Sequence, residues 1–333
     1  MVPALAVADA LRAEGAQIEF IGGDRVEASL VPEAGYRLHQ LRLLPLARRS
    51  PLLAARAMAV DGAAVFSAAR LLRGLRPGAV MGGGGYVSAP VGLAAALLRV
   101  PLVTVEIDGH MGMSNRLLVP FARRVCTAMP LAGRSGAKFV VTGRPVPAVT
   151  ITREAARERF GVGPEETLVV VFGGSQGARS INEAAVAALA DGEFRVLHAA
   201  GDRDLASLTA PRPGYDLRGY VPDFMDALVA SDLVIGRSGG SVWEICAAGR
   251  ASILVPYPHA TADHQTANAR QLADAGAAIL IPDGELTAER LRNVVGELLG
   301  DHERLSAMAA AAASLARPDA ARDIAAQVLE VVR

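Results

Sequence analysis

Aromatic residues are scarce in this 333-residue chain, at 4 %, although 51 % of it is hydrophobic. Ala, Leu and Val must therefore do most of the packing. Lysine is scarcer still: Lys138 stands alone and Arg supplies the rest of the positive charge. That bias can follow from base composition, so it is not read as phosphate recognition. The two cysteines, Cys126 and Cys246, lie inside apolar patterns without metal-ligand spacing. This excludes a disulfide framework and points to reduced core residues of a cytoplasmic protein. Long smooth apolar runs are missing too. The longest uncharged stretch, residues 77–98, contains four consecutive glycines and two prolines, which favours strand, turn and helix over a membrane span. The first residues already read as an amphipathic helix, so no signal peptide is expected.

What is present suits two domains of ordinary size. The formal net charge is zero, and no nucleic-acid partner is expected, but the charge is unevenly placed. Residues 1–150 hold 17 Lys and Arg against 9 Asp and Glu, a surplus of +8, and residues 151–333 hold 17 against 25, or −8. A basic half suggests an anionic surface or substrate. Within it, residues 42–76 set Arg42, Arg48, Arg49, Arg56, Arg70, Arg73 and Arg76 around Leu43, Leu44, Leu46, Leu52 and Leu53. That pattern fits either a solvated basic helix or a face for an anionic membrane, where each Arg contributes about 1 kcal/mol.

Short apolar runs alternate with helical periodicity throughout. Helices are expected at the start of the chain, ending near Gly15, and over 51–75, 178–189, 242–248, 287–299, 302–315 and 318–332. Strands are expected over 17–21, 36–41, 79–81, 102–105, 167–172, 195–199, 233–235 and 252–255. A doubly wound domain normally opens on a strand and a Gly-rich loop, whereas this chain opens on the helix. Either the fold lacks that strand or the start is truncated. Thr142-Gly143-Arg144-Pro145-Val146-Pro147 reads as a linker.

Two strand–turn–helix junctions carry the chemistry. Gly173-Gly174-Ser175-Gln176-Gly177 separates a strand from a helix, as a phosphate cradle requires: glycines let backbone N–H groups approach, and the helix N-terminus favours negative charge. It is neither G-x-G-x-x-G nor a P-loop, and a tight crossover turn is the plain alternative. Arg237-Ser238-Gly239-Gly240-Ser241 repeats the arrangement, with Glu244 in the following helix. That carboxylate could accept both hydroxyls of a ribose or merely stabilise the helix dipole. Asp263 and Gln265 form a polar cluster in which Asp263 could cap a helix. His259 and His264 make a weak metal pattern, and Asp202-Arg203-Asp204 reads as capping rather than as a metal motif. Glu106 and Asp108, with His110 nearby, fall at the carboxyl end of a strand, where paired carboxylates suit general-base work or a polar loop.

At these positions the chain closely resembles a known family. Gly83-Gly84-Gly85-Tyr86-Val87-Ser88, Gly173-Gly174-Ser175-Gln176-Gly177-Ala178-Arg179, Arg237-Ser238-Gly239 with Glu244, and Asp263-His264-Gln265 with Asn268-Ala269 look like the MurG family. Its members are the N-acetylglucosaminyltransferases that convert lipid I to lipid II in peptidoglycan synthesis. The resemblance implies an α/β GT-B fold of two Rossmann-like domains with a cleft between them. Residues 1–145 would take the acceptor and 146–333 the UDP-sugar, with the last helix crossing back to the first domain. It implies inverting transfer from UDP-N-acetylglucosamine to an undecaprenyl-linked muramoyl-peptide, with no metal or cofactor, on the cytoplasmic face of the plasma membrane. Gly174, Ser175, Gln176 and Gly177 would hold the donor diphosphate and sugar, Val221 the uracil, Glu244 the ribose and Gln265 the sugar hydroxyls. Arg237, Gly240 and Ser241 would complete the donor loop. Gly84, Gly85, Tyr86, Asp108 and Asn115 would meet the acceptor, with Glu106 as the candidate base.

The chain also departs from the family. The usual first strand and Gly-rich loop ending in His, a favoured base, are absent. His-Glu-Gln-Asn becomes Val105-Glu106-Ile107-Asp108, the Arg after the hinge becomes Pro147, and the turn between Arg237 and Glu244 is one residue shorter. A different acceptor, or a non-catalytic nucleotide-sugar binder, are therefore the alternatives.

Overall fold

The computed structural model describes residues 1–41, 51–174, 176–260 and 263–332, the side chains of 51–61 excepted. They form two compact units, Met1–Val146 with Arg317–Arg333, and Pro147–Ala316.

The first unit begins on helix α1 (Val2–Ala13), with proline in its first turn. Strand β1 (Glu19–Gly22), helix α2 (Glu27–Glu33) and strand β2 (Arg37–Gln40) follow, and the two strands pair in parallel. Helix α3 (Pro51–Leu75) leads to β3 (Val80–Gly82), α4 (Gly85–Leu97), β4 (Leu102–Glu106), α5 (Met113–Leu118), β5 (Arg124–Thr127) and β6 (Phe139–Val141). These last four strands make a separate parallel sheet in the order β3-β4-β5-β6. Val103, Val105 and Cys126 of this sheet pack with Val7 and Leu11 of α1. The Cys126 thiol is pushed up to about 12 by burial, so it stays protonated.

The second unit runs α6 (Arg153–Arg159), β7 (Leu168–Phe172), α7 (Arg179–Ala188), β8 (Arg195–Ala199), α8 (Asp202–Leu205) and β9 (Tyr215–Arg218). It continues with α9 (Phe224–Ala230), β10 (Leu233–Gly236), α10 (Val242–Ala248), β11 (Ala251–Leu254), α11 (His264–Asp274), β12 (Ala278–Leu280), α12 (Ala288–Gly300) and α13 (His302–Leu315). All six strands are parallel, in the order β12-β11-β10-β7-β8-β9. The connection reverses direction between β7 and β10, where an open α/β sheet offers a ligand crevice at its carboxyl edge. Leu168-Val169-Val170-Val171-Phe172 is buried along its whole length, as a central strand covered on both faces must be. Thr152, Thr287 and Asp301 cap α6, α12 and α13 by accepting from backbone N–H groups three residues on.

The chain then returns to the first unit as α14 (Ala320–Val332). Ile324, Ala325, Val328 and Val331 bury against Val7 and Leu11, each large side chain contributing about 1.5–3 kcal/mol. Arg124 ties the helix to β5 through Gln327 Oε1 at 3.0 Å and Glu330 Oε1 at 2.6 Å. Gly143 makes room for the return: its φ is +88°, and a methyl there would overlap the Arg317 side chain.

Strands β5, β6, β9 and β12 carry no expectation from periodicity. Asp202-Arg203-Asp204, expected to cap a helix, instead lies inside the single turn of α8, whose N-cap is Gly201.

Candidate functional site

In the second unit the two glycine turns lie at the ends of β7 and β10, neighbouring strands in register through Phe172 and Gly236. Their separation in sequence is removed by the strand order. The first turn closes with Gly177 N donating to the Gly174 carbonyl at 3.0 Å. Gly174 and Gly177 have φ of +88° and +73°, and a side chain on Gly173 would overlap the Ala178 backbone. Only glycine fits these positions, and the turn delivers the first free N–H groups of α7 to the carboxyl edge. Gln176 is exposed beside it. Ser175 lies outside the described residues.

The second turn, through Gly239, Gly240 and Ser241, is held from below. Ser238 Oγ donates to the Gln265 carbonyl at 2.8 Å, and Asn268 Nδ2 donates to the Ser238 carbonyl at 3.1 Å. The Gln265 amide is thereby set beside Gly239, with its Oε1 accepting from Tyr257 N at 3.0 Å. Glu244 is half-buried in the first turn of α10. Gln265, Gly239–Ser241 and Glu244 thus belong to one locality. Val221 is buried in the segment between β9 and α9.

Arg237 has a different setting from the one its motif suggests. The residue is 8 % exposed, and its guanidinium donates to the carbonyls of Val255 and Pro256, to Asp283 and to Ser180 Oγ, with Tyr257 across its face. It anchors the end of β10 to β11 and α7. Asp263 occupies the N-cap position of α11, but its carboxylate accepts from the Thr266 hydroxyl at 2.6 Å rather than from a backbone N–H.

In the first unit, the turns after β3 and β4 are likewise brought together. Ser114 Oγ donates to the Gly85 carbonyl at 2.6 Å, and Ser88 donates to the Gly84 carbonyl. Tyr86 packs its hydroxyl over Gly23, with Arg25 above its ring at 5.5 Å. Glu106 is buried and accepts from Asp108 N at 3.3 Å, Gly112 N at 2.8 Å and Asn115 Nδ2 at 2.9 Å. Three of the roughly four acceptor directions of a carboxylate are therefore filled by protein donors. Asp108 is more exposed and faces Arg144 at 3.3 Å. Gly84, Gly85, Tyr86, Glu106, Asp108 and Asn115 all fall on this carboxyl edge.

Reasoning from sequence passed over several groups. Gly112 and Ser114 order the first-unit turns, and Tyr257 covers Arg237. Asn182 and His198 are fully buried polar residues of α7 and β8. Their signal is a polar residue on an otherwise apolar face, here beside Ile181, Ala184, Ala185 and Ala188. Among the described residues no three His, Cys, Asp or Glu side chains gather as a metal site would need.

The profile of the glycosyltransferase family 28 N-terminal domain matches residues 1–127, and that of the family's C-terminal domain matches residues 168–324. A Moorella thermoacetica protein is 43 % identical over 99 % of this chain and 95 % of its own length. One from Rubrobacter xylanophilus is 41 % identical over 98 % and 99 %. Both bear the name UDP-N-acetylglucosamine–N-acetylmuramyl-(pentapeptide) pyrophosphoryl-undecaprenol N-acetylglucosamine transferase. The crystal structure of Acinetobacter baumannii MurG matches with a TM-score of 0.81 at 29 % identity, over 98 % of this chain and 95 % of that one. The two-unit architecture is thus the GT-B fold. The chain belongs to glycosyltransferase family 28, among its MurG members.

Proposed function

We propose that this protein transfers N-acetylglucosamine from UDP-N-acetylglucosamine to an undecaprenyl-diphosphate-linked N-acetylmuramyl-pentapeptide, the step from lipid I to lipid II, with inversion. The observation that carries the reading is the paired glycine turns at the switch point of the six-stranded sheet, in a chain whose relatives bear that activity in their names. The acceptor hydroxyl forms the new bond to the anomeric carbon as the bond to the diphosphate breaks. UDP leaves against the N–H groups at the start of α7, which are already oriented toward developing negative charge.

In this proposal the unit Pro147–Ala316 takes the donor. Gly174, Ser175, Gln176 and Gly177 hold diphosphate and sugar, Val221 the uracil, Glu244 the ribose and Gln265 the sugar hydroxyls. Gly240 and Ser241 shape the loop, and Arg237 is its post. The unit Met1–Val146 with Arg317–Arg333 takes the acceptor through Gly84, Gly85, Tyr86, Asp108 and Asn115. Glu106 receives the acceptor proton.

The acceptor is lipid-linked, so the protein must work at a membrane surface. Among the described residues no helix is long and apolar enough to cross a membrane. Peripheral contact is supported by Met113 (67 % exposed), Leu117 (48 %) and Phe121 (51 %), with Arg116 and Arg123 exposed among them. Residues 42–50 and the Arg56 side chain lie outside the described residues; Arg70, Arg73 and Arg76 are exposed. The anionic cytoplasmic leaflet of the plasma membrane is the surface we assign.

Calorimetry with UDP tests the donor assignment. Replacing Glu244 by Ala removes charge-assisted hydrogen bonds, each of about 1.5–3 kcal/mol, so UDP should bind at least tenfold more weakly. Equal affinity in both proteins would refute it.

A further inference from the structure

Behind the first glycine turn of the second unit lies a set of buried polar side chains that the proposed transfer does not use. His198 on β8 and Asn182 on α7 are fully buried, and Asp204 on α8 nearly so. His198 Nε2 is 3.0 Å from Asn182 Oδ1, and its Nδ1 is 2.8 Å from the Tyr215 hydroxyl. Asn182 Nδ2 donates to the Ala200 carbonyl at 2.9 Å and to Asp204 Oδ2 at 3.2 Å. Two acceptors at one end of the amide fix which end is nitrogen. Its oxygen can then only accept, so Nε2 of His198 carries the proton and Nδ1 accepts from Tyr215. Arg203 holds the Asp204 carboxylate through both of its oxygens. Every hydrogen bond in the chain therefore has one direction.

The chain ends on the Ala200 carbonyl, and that group supports the turn. A methyl on Gly177 would overlap this same oxygen, and one on Gly201 would lie 2.6 Å from the Gly177 nitrogen. The turn rests on the Ala200–Gly201 peptide with no side chain between them. A shift of that peptide is a shift of the turn. Apolar residues would pack here without the desolvation that a buried imidazole, amide and carboxylate require. A fully satisfied, one-directional network instead holds one carbonyl in one place.

We infer that Asn182 is a positioning residue for the donor diphosphate: its amide holds the Ala200–Gly201 peptide that supports the Gly174–Gly177 turn, and His198 and Asp204 orient that amide. The inference rests on the donor reading of the turn proposed above. Burial keeps His198 neutral, its pKa pushed down to about 4, so the relay is intact at neutral pH.

The test measures UDP binding and the kinetics of N-acetylglucosamine transfer on the full chain. Asn182→Leu should raise the UDP Kd and the UDP-N-acetylglucosamine KM about tenfold, the loss of an oriented buried hydrogen bond, while the acceptor KM stays within about twofold. Tyr215→Phe, which keeps the ring and frees the tautomer, should raise both about threefold. His198→Gln places an amide N–H where Nε2–H was and should bind UDP as the parent does. Val295→Ala truncates the same apolar cluster from α12 without touching the polar relay, and controls for stability alone. UDP affinities of Asn182→Leu and Tyr215→Phe unchanged from the parent would overturn the inference, as would an equal loss in Val295→Ala. If Asn182→Leu does not fold, the result with Tyr215→Phe decides. An unsubstituted protein that fails to bind UDP would overturn the donor reading first, and this inference with it.

Discussion

Asn115 and Glu106 face one another across the turn that ends β4, amide nitrogen to carboxylate oxygen at 2.9 Å. The same oxygen accepts from Gly112 N at 2.8 Å, and the same amide donates to the Val105 carbonyl at 3.0 Å. The carboxylate that is proposed to take the acceptor's proton is thus also the centre of the loop that presents it.

This double role makes a prediction about Glu106→Gln. Whichever way the new amide turns, its NH2 replaces one carboxylate oxygen and faces either Asp108 N or the pair Gly112 N and Asn115 Nδ2, all of them donors. Chemical denaturation should show a loss of about 1–3 kcal/mol, together with loss of transfer. A variant of unchanged stability would show that the loop does not depend on this carboxylate.

Gly143 is the second place where one atom decides a larger arrangement. Gly143→Ala adds left-handed backbone strain of about 1–2 kcal/mol and pushes the chain at Arg317 away from its seat. The first unit would then lose part of the burial that Ile324 and Val328 provide. Lowered thermal stability and faster proteolytic cleavage near Arg317 are the expected outcomes. A melting temperature within a degree of the parent would count against the packing described.

His198 makes stability depend on acid. Its pKa falls from 6.5 to about 4 on folding because burial disfavours the charged ring. Between those values the unfolded chain holds a proton that the folded chain lacks. Its contribution is therefore complete above pH 6.5 and is lost as pH falls toward 4. Urea unfolding at pH 7 and pH 5 should differ by about 2 kcal/mol from this group, and His198→Gln should reduce the difference by that amount. An identical pH dependence in both proteins would place the acid sensitivity elsewhere.

Met113, Leu117 and Phe121 give the membrane reading its own check. Sedimentation with vesicles should need anionic lipid, weaken as salt rises, and fall when the three are replaced by Ser. Binding that ignores both lipid charge and these substitutions would remove the assigned face.

The parts of this fold that are legible in sequence are those with local causes. Leu168–Phe172 and Leu233–Gly236 announce themselves as unbroken apolar runs stopped by glycine, and the Gly173–Gly177 turn needs its glycines for reasons internal to the turn. Phe139–Val141 and Ala278–Leu280 are three residues long and form by pairing with neighbours that are distant in sequence or follow a helix. Periodicity has too little length there to speak. Arg237 enters the donor loop only through the family resemblance; its acceptors, Val255, Pro256 and Asp283, are named only once β11 and the segment beyond β12 are in place. Glu106 and Asn115 could each be picked out singly, but their pairing depends on the turn between them. His198 and Asn182 look like ordinary members of a strand and a helix until β8 and α7 bring them within hydrogen-bonding distance.

The central claim is the transfer itself. Labelled UDP-N-acetylglucosamine, incubated with this protein and undecaprenyl-diphospho-N-acetylmuramyl-pentapeptide in anionic vesicles, should yield a labelled lipid-linked disaccharide with a β linkage. The yield should collapse in Glu244→Ala. Release of UDP without label in the lipid, or a lipid product that forms equally well in that variant, would contradict the account.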